Sequence, residues 1–117
     1  MSEKSIDWRG SSLEDIKDEN VFTAAARKES GRQLSLVQHG LNPDHWKPFD
    51  DVGAGAKETI INLDDGWFRV MYVAKFEEAV YVLHCFKKKS NKTSRHDKKI
   101  ATARYKAVVK ERIQDGH

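Results

Sequence analysis

The chain has 117 residues and a formal net charge of +3, with 33% charged and 38% hydrophobic residues. This length suffices for one modest core and not for two, so we expect a single soluble domain over residues 1–117. The single cysteine, Cys85, excludes an internal disulfide and fits a reducing cytoplasm. The chain contains no apolar run of about 18 residues that would span a membrane, and its polar start is unlike a signal peptide. A cytoplasmic location is therefore predicted.

The first third of the chain predicts a short strand followed by two helices. Residues 6–9 favour the strand, and Ser11 or Ser12 then caps the first helix. The second helix is predicted over residues 21–38, with a bend near Gly31. The next segment, residues 42–55, contains both prolines and indicates a loop.

From residue 57 onwards the apolar residues alternate with polar ones, which predicts strands. The predicted strands cover residues 59–63, 67–76 and 79–87. Short turns join them, so they form an antiparallel meander. Ser94 and Asp97 form a weak capping box for a last helix that extends to about residue 112. The predicted class is α+β, a small antiparallel-meander sheet of three to four strands with two N-terminal helices and one C-terminal helix, whose other side is open to a ligand.

The end of the third meander strand carries the most informative cluster of residues. Residues 87–112 hold eleven lysines and arginines against two acids, whereas the first 20 residues hold six acids against three bases. Cations fixed beside hydroxyl groups can bind a phosphodiester, so RNA or DNA is the first substrate class to consider. The cluster comprises Lys87, Lys88, Lys89, Ser90, Lys92, Thr93, Ser94 and Arg95.

Several pieces of the sequence resemble one protein family in the family's own order. The pieces are residues 8–15 (WRGSSLED), Gly31, Gln33, Leu34, Val37, Gln38, Gly40, residues 46–48 (WKP), Gly53, Gly55, Glu58, residues 68–70 (FRV), residues 72–74 (YVA), residues 80–84 (VYVLH), Phe86, Lys88, Lys89, Lys92, Thr93 and residues 103–105 (ARY). Together they resemble the phage-derived HigB-like toxins of the RelE superfamily, found in bacterial toxin–antitoxin pairs. The resemblance covers nearly the whole chain and implies a RelE-like fold.

The resemblance also implies a biochemical activity. Such toxins are ribosome-dependent endoribonucleases that cut messenger RNA during translation. The RNA's own 2′-hydroxyl attacks the adjacent phosphate, which needs no metal and no cofactor. The implied partners are mRNA on the ribosome and a small helix-turn-helix antitoxin, and the free toxin is expected to be a monomer. Two positions depart from the family, Ile60 where an arginine is usual and Lys87 where a glutamine is usual.

Arg69 and His84 are candidate catalytic residues on the meander strands. Alternation places Arg69 on the face opposite to Phe68, where its guanidinium suits the scissile phosphate. The alternative is an ion pair with Glu58, which would then support Arg69 rather than act as a base. His84 can act as a general acid or base. It shares a predicted face with Val80, Val82 and Phe86, so a core histidine bonded to backbone is the alternative.

The cationic cluster contributes the remaining candidates. Lys88 and Lys89 match the family motif and are predicted catalytic groups, while Lys87, Lys92 and Arg95 would hold RNA by charge. The alternative for the lysines is a solvated edge that discourages strand pairing. Thr93 and Ser94 lie where the last helix begins and would bind phosphate through free N–H groups, or simply cap the helix.

Two further questions stay open at the level of sequence. Tyr72 and Tyr105 could stack on a base, although their apolar neighbours favour core positions. The same basic surface could also hold nucleic acid or the ribosome without cutting it, and a DNA-binding regulator is a third and weaker hypothesis because no helix-turn-helix is recognisable. The acidic N-terminal helices and Trp8 are a candidate antitoxin surface. We find no zinc-type spacing of histidine and cysteine.

Overall fold

The computed structural model describes residues 3–117, and a mixed five-stranded sheet runs through this part of the chain in the order β1-β5-β4-β3-β2. The strands are β1 Ser5–Trp8, β2 Trp46–Pro48, β3 Ala56–Leu63, β4 Gly66–Val73 and β5 Ala79–Lys88. The helices are α1 Ser12–Lys17, α2 Ala24–Gln38 and α3 Arg95–Gln114. Residues 1 and 2 of the predicted domain lie outside the described residues. None of the helices in residues 3–117 is long and apolar enough to cross a membrane.

The α+β class is confirmed, but the sheet is larger than the predicted antiparallel meander of three to four strands. The meander itself is formed by β3, β4 and β5. Strand β1 adds to it in parallel, with Ser5 opposite Ala79, and β2 adds antiparallel to β3 within the segment predicted as a loop. Strand β2 has three residues and ends in a proline, so it is too short to show an alternating pattern. The parallel pairing of β1 with β5 joins residues more than 70 positions apart, so the pattern of apolar residues within either strand does not predict it.

The helices cover both faces of the sheet, so the expectation of one open side is wrong. Helix α2 packs Ala26, Leu34 and Val37 against one face. Helix α3 packs Ala101, Tyr105 and Val108 against the other, which we call the α3 face. Strands buried on both sides appear in sequence as continuous apolar runs, as residues 79–86 do. Asn62 and Trp67 of the α3 face are exposed, and the basic cluster adjoins them before the N-terminal end of α3.

A β-bulge changes the face on which His84 lies. His84 pairs with Met71 while Val82 pairs with Tyr72, which leaves Leu83 as an extra residue between them. The bulge resets the alternation, because two residues of β5 then oppose one of β4. His84 therefore shares the α3 face with Phe86, as predicted, but not with Val80 and Val82, which lie in the core beneath α2.

The helix ends follow the predicted capping chemistry in part. Ser94 Oγ accepts a hydrogen bond from the Asp97 backbone N–H at 3.1 Å, so the predicted cap of α3 is confirmed. Ser11 is the N-cap of α1, although its hydroxyl donates to the Asp15 side chain at 2.8 Å. Helix α2 begins after Thr23, whose hydroxyl accepts from the Ala26 N–H, and it continues through Gly31 without interruption.

Gly53 is where the loop before β3 touches α3, and we predict that Gly53→Ala destabilises the protein. A Cβ atom at this position would overlap the ring of Tyr105, whose hydroxyl donates to the Ala54 carbonyl at 2.6 Å. Overpacking of this kind costs about 1–3 kcal/mol. Urea unfolding should show the loss as a lower midpoint.

The matched control is Gly31→Ala. A Cβ atom there meets nothing within 4 Å, and the position is inside α2. Alanine should therefore raise the free energy of unfolding by roughly 0.5–1 kcal/mol. Equal stability of the two variants would contradict the proposed contact with Tyr105.

Candidate nucleic-acid interface

The register of the sheet arranges polar side chains in rows on the α3 face. Residues directly opposite each other in an antiparallel pair project from the same face. The row nearest the open end contains Asn62, Trp67 and Lys88. The next row contains Ile60, Arg69 and Phe86, and the one after it contains Lys47, Glu58, Met71 and His84. Arg69, Lys88 and Glu58 are thereby neighbours although they come from three strands.

Glu58 is a fully buried carboxylate at the centre of this arrangement, with 0% of its surface exposed. Its Oε2 accepts a hydrogen bond from the Thr93 hydroxyl at 2.8 Å. Its Oε1 lies 3.6 Å from Arg69 Nε and 3.7 Å from Lys47 Nζ. Within residues 3–117, neither Glu58 Oε1 nor Arg69 Nε makes a hydrogen bond, so the contacts at Oε1 are ion pairs alone. The ion pair considered as the alternative for Arg69 is therefore present.

The Arg69 guanidinium is fixed at both of its ends. Its Nη1 donates to Asn62 Oδ1 at 2.9 Å and to the Phe68 carbonyl at 2.8 Å, while Nε faces Glu58. Burial lowers the pKa of Arg69, and the Glu58 charge opposes this change. Arginine stays protonated despite such shifts because its ordinary pKa exceeds 12. Arg69 thus presents a permanent charge in a fixed orientation.

Lys88 is the most buried of the clustered lysines, with 7% of its surface exposed. Its Nζ donates to the Asn91 carbonyl at 2.8 Å. Burial lowers the pKa of Lys88, and the positive charge of Arg69 lowers it further, against an opposing effect of Glu58. A lysine with a lowered pKa can accept and release a proton more readily than an ordinary surface lysine.

A cleft of about 310 Å³ brings most of the predicted basic cluster together. Its lining residues are Lys87, Lys88, Lys89, Ser90, Lys92, Ser94, His96 and Asp97. Lys87 belongs to the opposite alternation of β5, and its ammonium lies 5.6 Å from the ring centre of Phe68. Arg95 does not line the cleft and instead borders a separate groove with Asp51 and Lys98.

Thr93 and Ser94 have side-chain partners within the protein. The Thr93 hydroxyl is buried against Glu58, and the Ser94 hydroxyl accepts from the Asp97 N–H and donates to Asp97 Oδ2 at 2.7 Å. Helix capping, the alternative for Ser94, is therefore present. Thr93 holds the Glu58 carboxylate in place, a contact that the sequence did not indicate.

His84 is connected to the cleft through one carboxylate. Its Nε2 lies 2.8 Å from Asp97 Oδ1, and its ring stacks on Phe86 with centroids 4.8 Å apart. Burial lowers the pKa of His84, whereas the hydrogen bond to Asp97 opposes this change. The histidine is a packed one, as the alternative had it, but its Nε2 bonds to a side chain rather than to backbone.

The structure adds three residues that the sequence analysis did not assign to the site. Lys47 comes from β2 and faces Glu58, Asn62 positions Arg69, and His96 lines the cleft from the first turn of α3. Lys47 lies inside the resemblance, but its proximity to Glu58 depends on the strand pairing that was missed.

Tyr72 and Tyr105, considered as candidate base-stacking residues, are core residues, as their apolar neighbours indicated. In residues 3–117, no group of three histidine, cysteine, aspartate or glutamate side chains is arranged to hold a metal ion.

Comparison with known families supports the resemblance to the wider toxin group, without singling out HigB. The family model described as phage-derived protein Gp49-like (DUF891) matches residues 18–106 of the 117 residues. That family belongs to the RelE/HigB-like group of toxin–antitoxin toxins. The match includes Glu58, Arg69, Lys88 and Thr93. A search of curated proteins finds no match.

We predict that Glu58→Gln strongly destabilises the protein. The change leaves Arg69 and Lys88 buried beside each other without their shared negative charge, and breaking a buried charge cluster by removing one partner costs about 3–5 kcal/mol. Urea unfolding of the variant should show a markedly lower midpoint. Glu77→Gln, an exposed turn residue, is the control and should leave the midpoint unchanged. A normal midpoint for Glu58→Gln would show that the cluster does not depend on this carboxylate.

Proposed function

The chain belongs to the Gp49-like family of phage-derived proteins, and from this membership and the chemistry of the cleft we propose that it is a HigB-like toxin that cleaves messenger RNA. The observation that supports this function best is the closeness of two cations, a fixed Arg69 and a buried Lys88, at the edge of a lysine-lined cleft. A structural ion pair alone would not need the surrounding exposed cations. A nuclease needs both fixed cations at the reacting phosphate and exposed cations that hold the rest of the RNA backbone.

Binding of the RNA backbone is assigned to the exposed lysines. Lys87 and Lys92 are exposed at the cleft and have no fixed carboxylate partner among the described residues. Such lysines neutralise phosphates and release counterions, so binding should weaken steeply with added salt. Arg95, outside the cleft, would extend the positive surface along the RNA.

The proposed reaction uses the RNA's own nucleophile. Lys88, in its neutral form, accepts the proton of the 2′-hydroxyl as the 2′-oxygen bonds to phosphorus. Arg69 stabilises the negative charge that develops on the phosphoryl oxygens. The bond from phosphorus to the 5′-oxygen then breaks, and a proton from the Lys89 ammonium gives a 5′-hydroxyl and a 2′,3′-cyclic phosphate. His84 orients Asp97 at the cleft.

Dependence on the ribosome has a physical rationale in this structure. Arg69 and Lys88 are each 7% exposed, and Lys88 is bonded to Asn91, so the RNA must displace protein contacts to reach them. A flexible RNA would also lose conformational freedom on binding. An mRNA already held by the ribosome has lost that freedom beforehand, which favours the reaction there. The proposed second partner is a helix-turn-helix antitoxin.

A binder of nucleic acid or ribosome that does not cut is the second candidate. The burial of Arg69 and Lys88 favours it, and so does Ile60, which replaces the arginine usual in the resembling family. The two candidates share the same surface. They differ in whether new RNA ends are formed.

We predict new transcript 5′ ends inside translated regions after brief induction of the protein in bacteria. Arg69→Ala should abolish them, because the developing phosphoryl charge loses its fixed partner. Arg112→Ala is the control, since Arg112 pairs with Glu78 at the far end of the sheet and should leave the ends unchanged. Absence of new ends with the unaltered, folded protein would favour the non-cutting binder.

We also predict that Lys88→Arg separates binding from cleavage. Arginine keeps the positive charge but cannot accept a proton near neutral pH. The cleavage rate in a translation extract should fall by about 10²-fold or more, while RNA binding changes little. Lys110→Arg, an exposed residue of α3, should cleave normally. Cleavage by Lys88→Arg at the normal rate would mean that Lys88 acts by charge alone.

A further inference from the structure

Trp67 is a large aromatic residue that the described fold leaves uncovered. It is 40% exposed, although tryptophan normally buries most of its surface in a protein of this size. It is the second residue of β4 and projects from the α3 face, on the same side as Arg69 and Met71. The residues that α3 covers lie further along the strand. Core packing therefore does not account for its exposed part.

The neighbours of Trp67 are the polar groups of the cleft. Lys88 lies directly opposite it on β5, and Asn62 lies directly opposite on β3. Arg69 follows two residues later on the same face, about 7 Å along the strand. Asn62 also accepts the hydrogen bond that positions Arg69, so the residue opposite Trp67 is the one that orients the guanidinium.

This arrangement matches the two parts of a nucleotide. An aromatic ring presents a face on which any base can stack, and cations within several ångströms of it can hold the attached phosphate. Phosphate at Arg69 and Lys88 would place the base of the same or the adjacent nucleotide over Trp67. A protein partner would also bury an exposed tryptophan, but the arrangement of a ring beside two fixed cations matches a base and its phosphate more closely than an apolar protein surface.

We propose that Trp67 is a base-stacking platform that positions one RNA nucleotide relative to Arg69 and Lys88. The inference deepens the proposed function, because it takes RNA as the ligand of the same cleft. The stacked base fixes the sugar, and thereby the 2′-hydroxyl, at the distance from Lys88 that proton transfer requires. Tyr72 and Tyr105 are unsuited to this role because both are core residues with at most 8% exposure.

The test uses purified protein and a labelled deoxytrinucleotide, which lacks the 2′-hydroxyl and cannot be cut. At low salt, binding should quench tryptophan emission of the unaltered protein. Trp67→Phe should bind within a few-fold but lose the quenching, and Trp67→Leu should bind about tenfold more weakly, because leucine offers no stacking face. Leu41→Ala, which removes another exposed apolar side chain, should behave as the unaltered protein does.

Equal affinity of Trp67→Leu and the unaltered protein would overturn the proposal, and so would the absence of quenching in the unaltered protein. The outcome is separable from the nuclease proposal. Quenching without new transcript ends in cells would keep the stacking site and reject the nuclease. New transcript ends without quenching would keep the nuclease and reject Trp67 as the platform, leaving a protein partner as its occupant.

Discussion

The buried carboxylate of Glu58 is the constraint on which the rest of this site depends. A charge with no solvent exposure is costly unless it is paired, and Glu58 meets this requirement with groups from four separate segments. Lys47 comes from β2, Arg69 from β4, Thr93 from the turn before α3, and Lys88 adds its charge from β5. The position of each segment is therefore coupled to the same carboxylate. A change in one of them alters the charge balance of all the others.

The same constraint explains why the basic loop after β5 has a defined place. Residues 89–94 carry cations that repel one another, which alone would favour an extended, mobile segment. Two contacts oppose this tendency, the Thr93 hydroxyl on Glu58 and the Lys88 ammonium on the Asn91 carbonyl. The Ser94 cap then starts α3 immediately afterwards. Both contacts use groups of the site, the Glu58 carboxylate and the Lys88 ammonium. The conformation of the loop therefore depends on the charges of these two groups.

The extent to which the sequence predicts this structure depends on how local each interaction is. The meander, the cap at Ser94 and the three helices follow from alternation, turns and capping residues within a few positions of one another. Strand β2 and the parallel pairing of β1 depend on distant partners and were missed. His84 was wrongly assigned to the face of Val80 and Val82 because a bulge is a single extra residue, which an alternating pattern cannot reveal. Most of the predicted basic cluster does line a cleft. The proximity of Lys47 and Asn62 to it depends on the pairing of distant strands, so no short sequence motif could predict it.

The Ile60 position shows how the register changes the interpretation of a substitution. Compared with the resembling family, the sequence lacks an arginine at Ile60 and has an extra cation at Lys87. The structure places Ile60 directly opposite Arg69, whereas Lys87 follows the other alternation and lies near the Phe68 ring. A second arginine at Ile60 would face Arg69 across the strand pair, where like charges repel. The cation that approaches Glu58 from this side is Lys47, on the neighbouring strand. The additional positive charge beside Glu58 thus comes from Lys47 on the edge strand, and Arg69 keeps Glu58 as its principal charged partner.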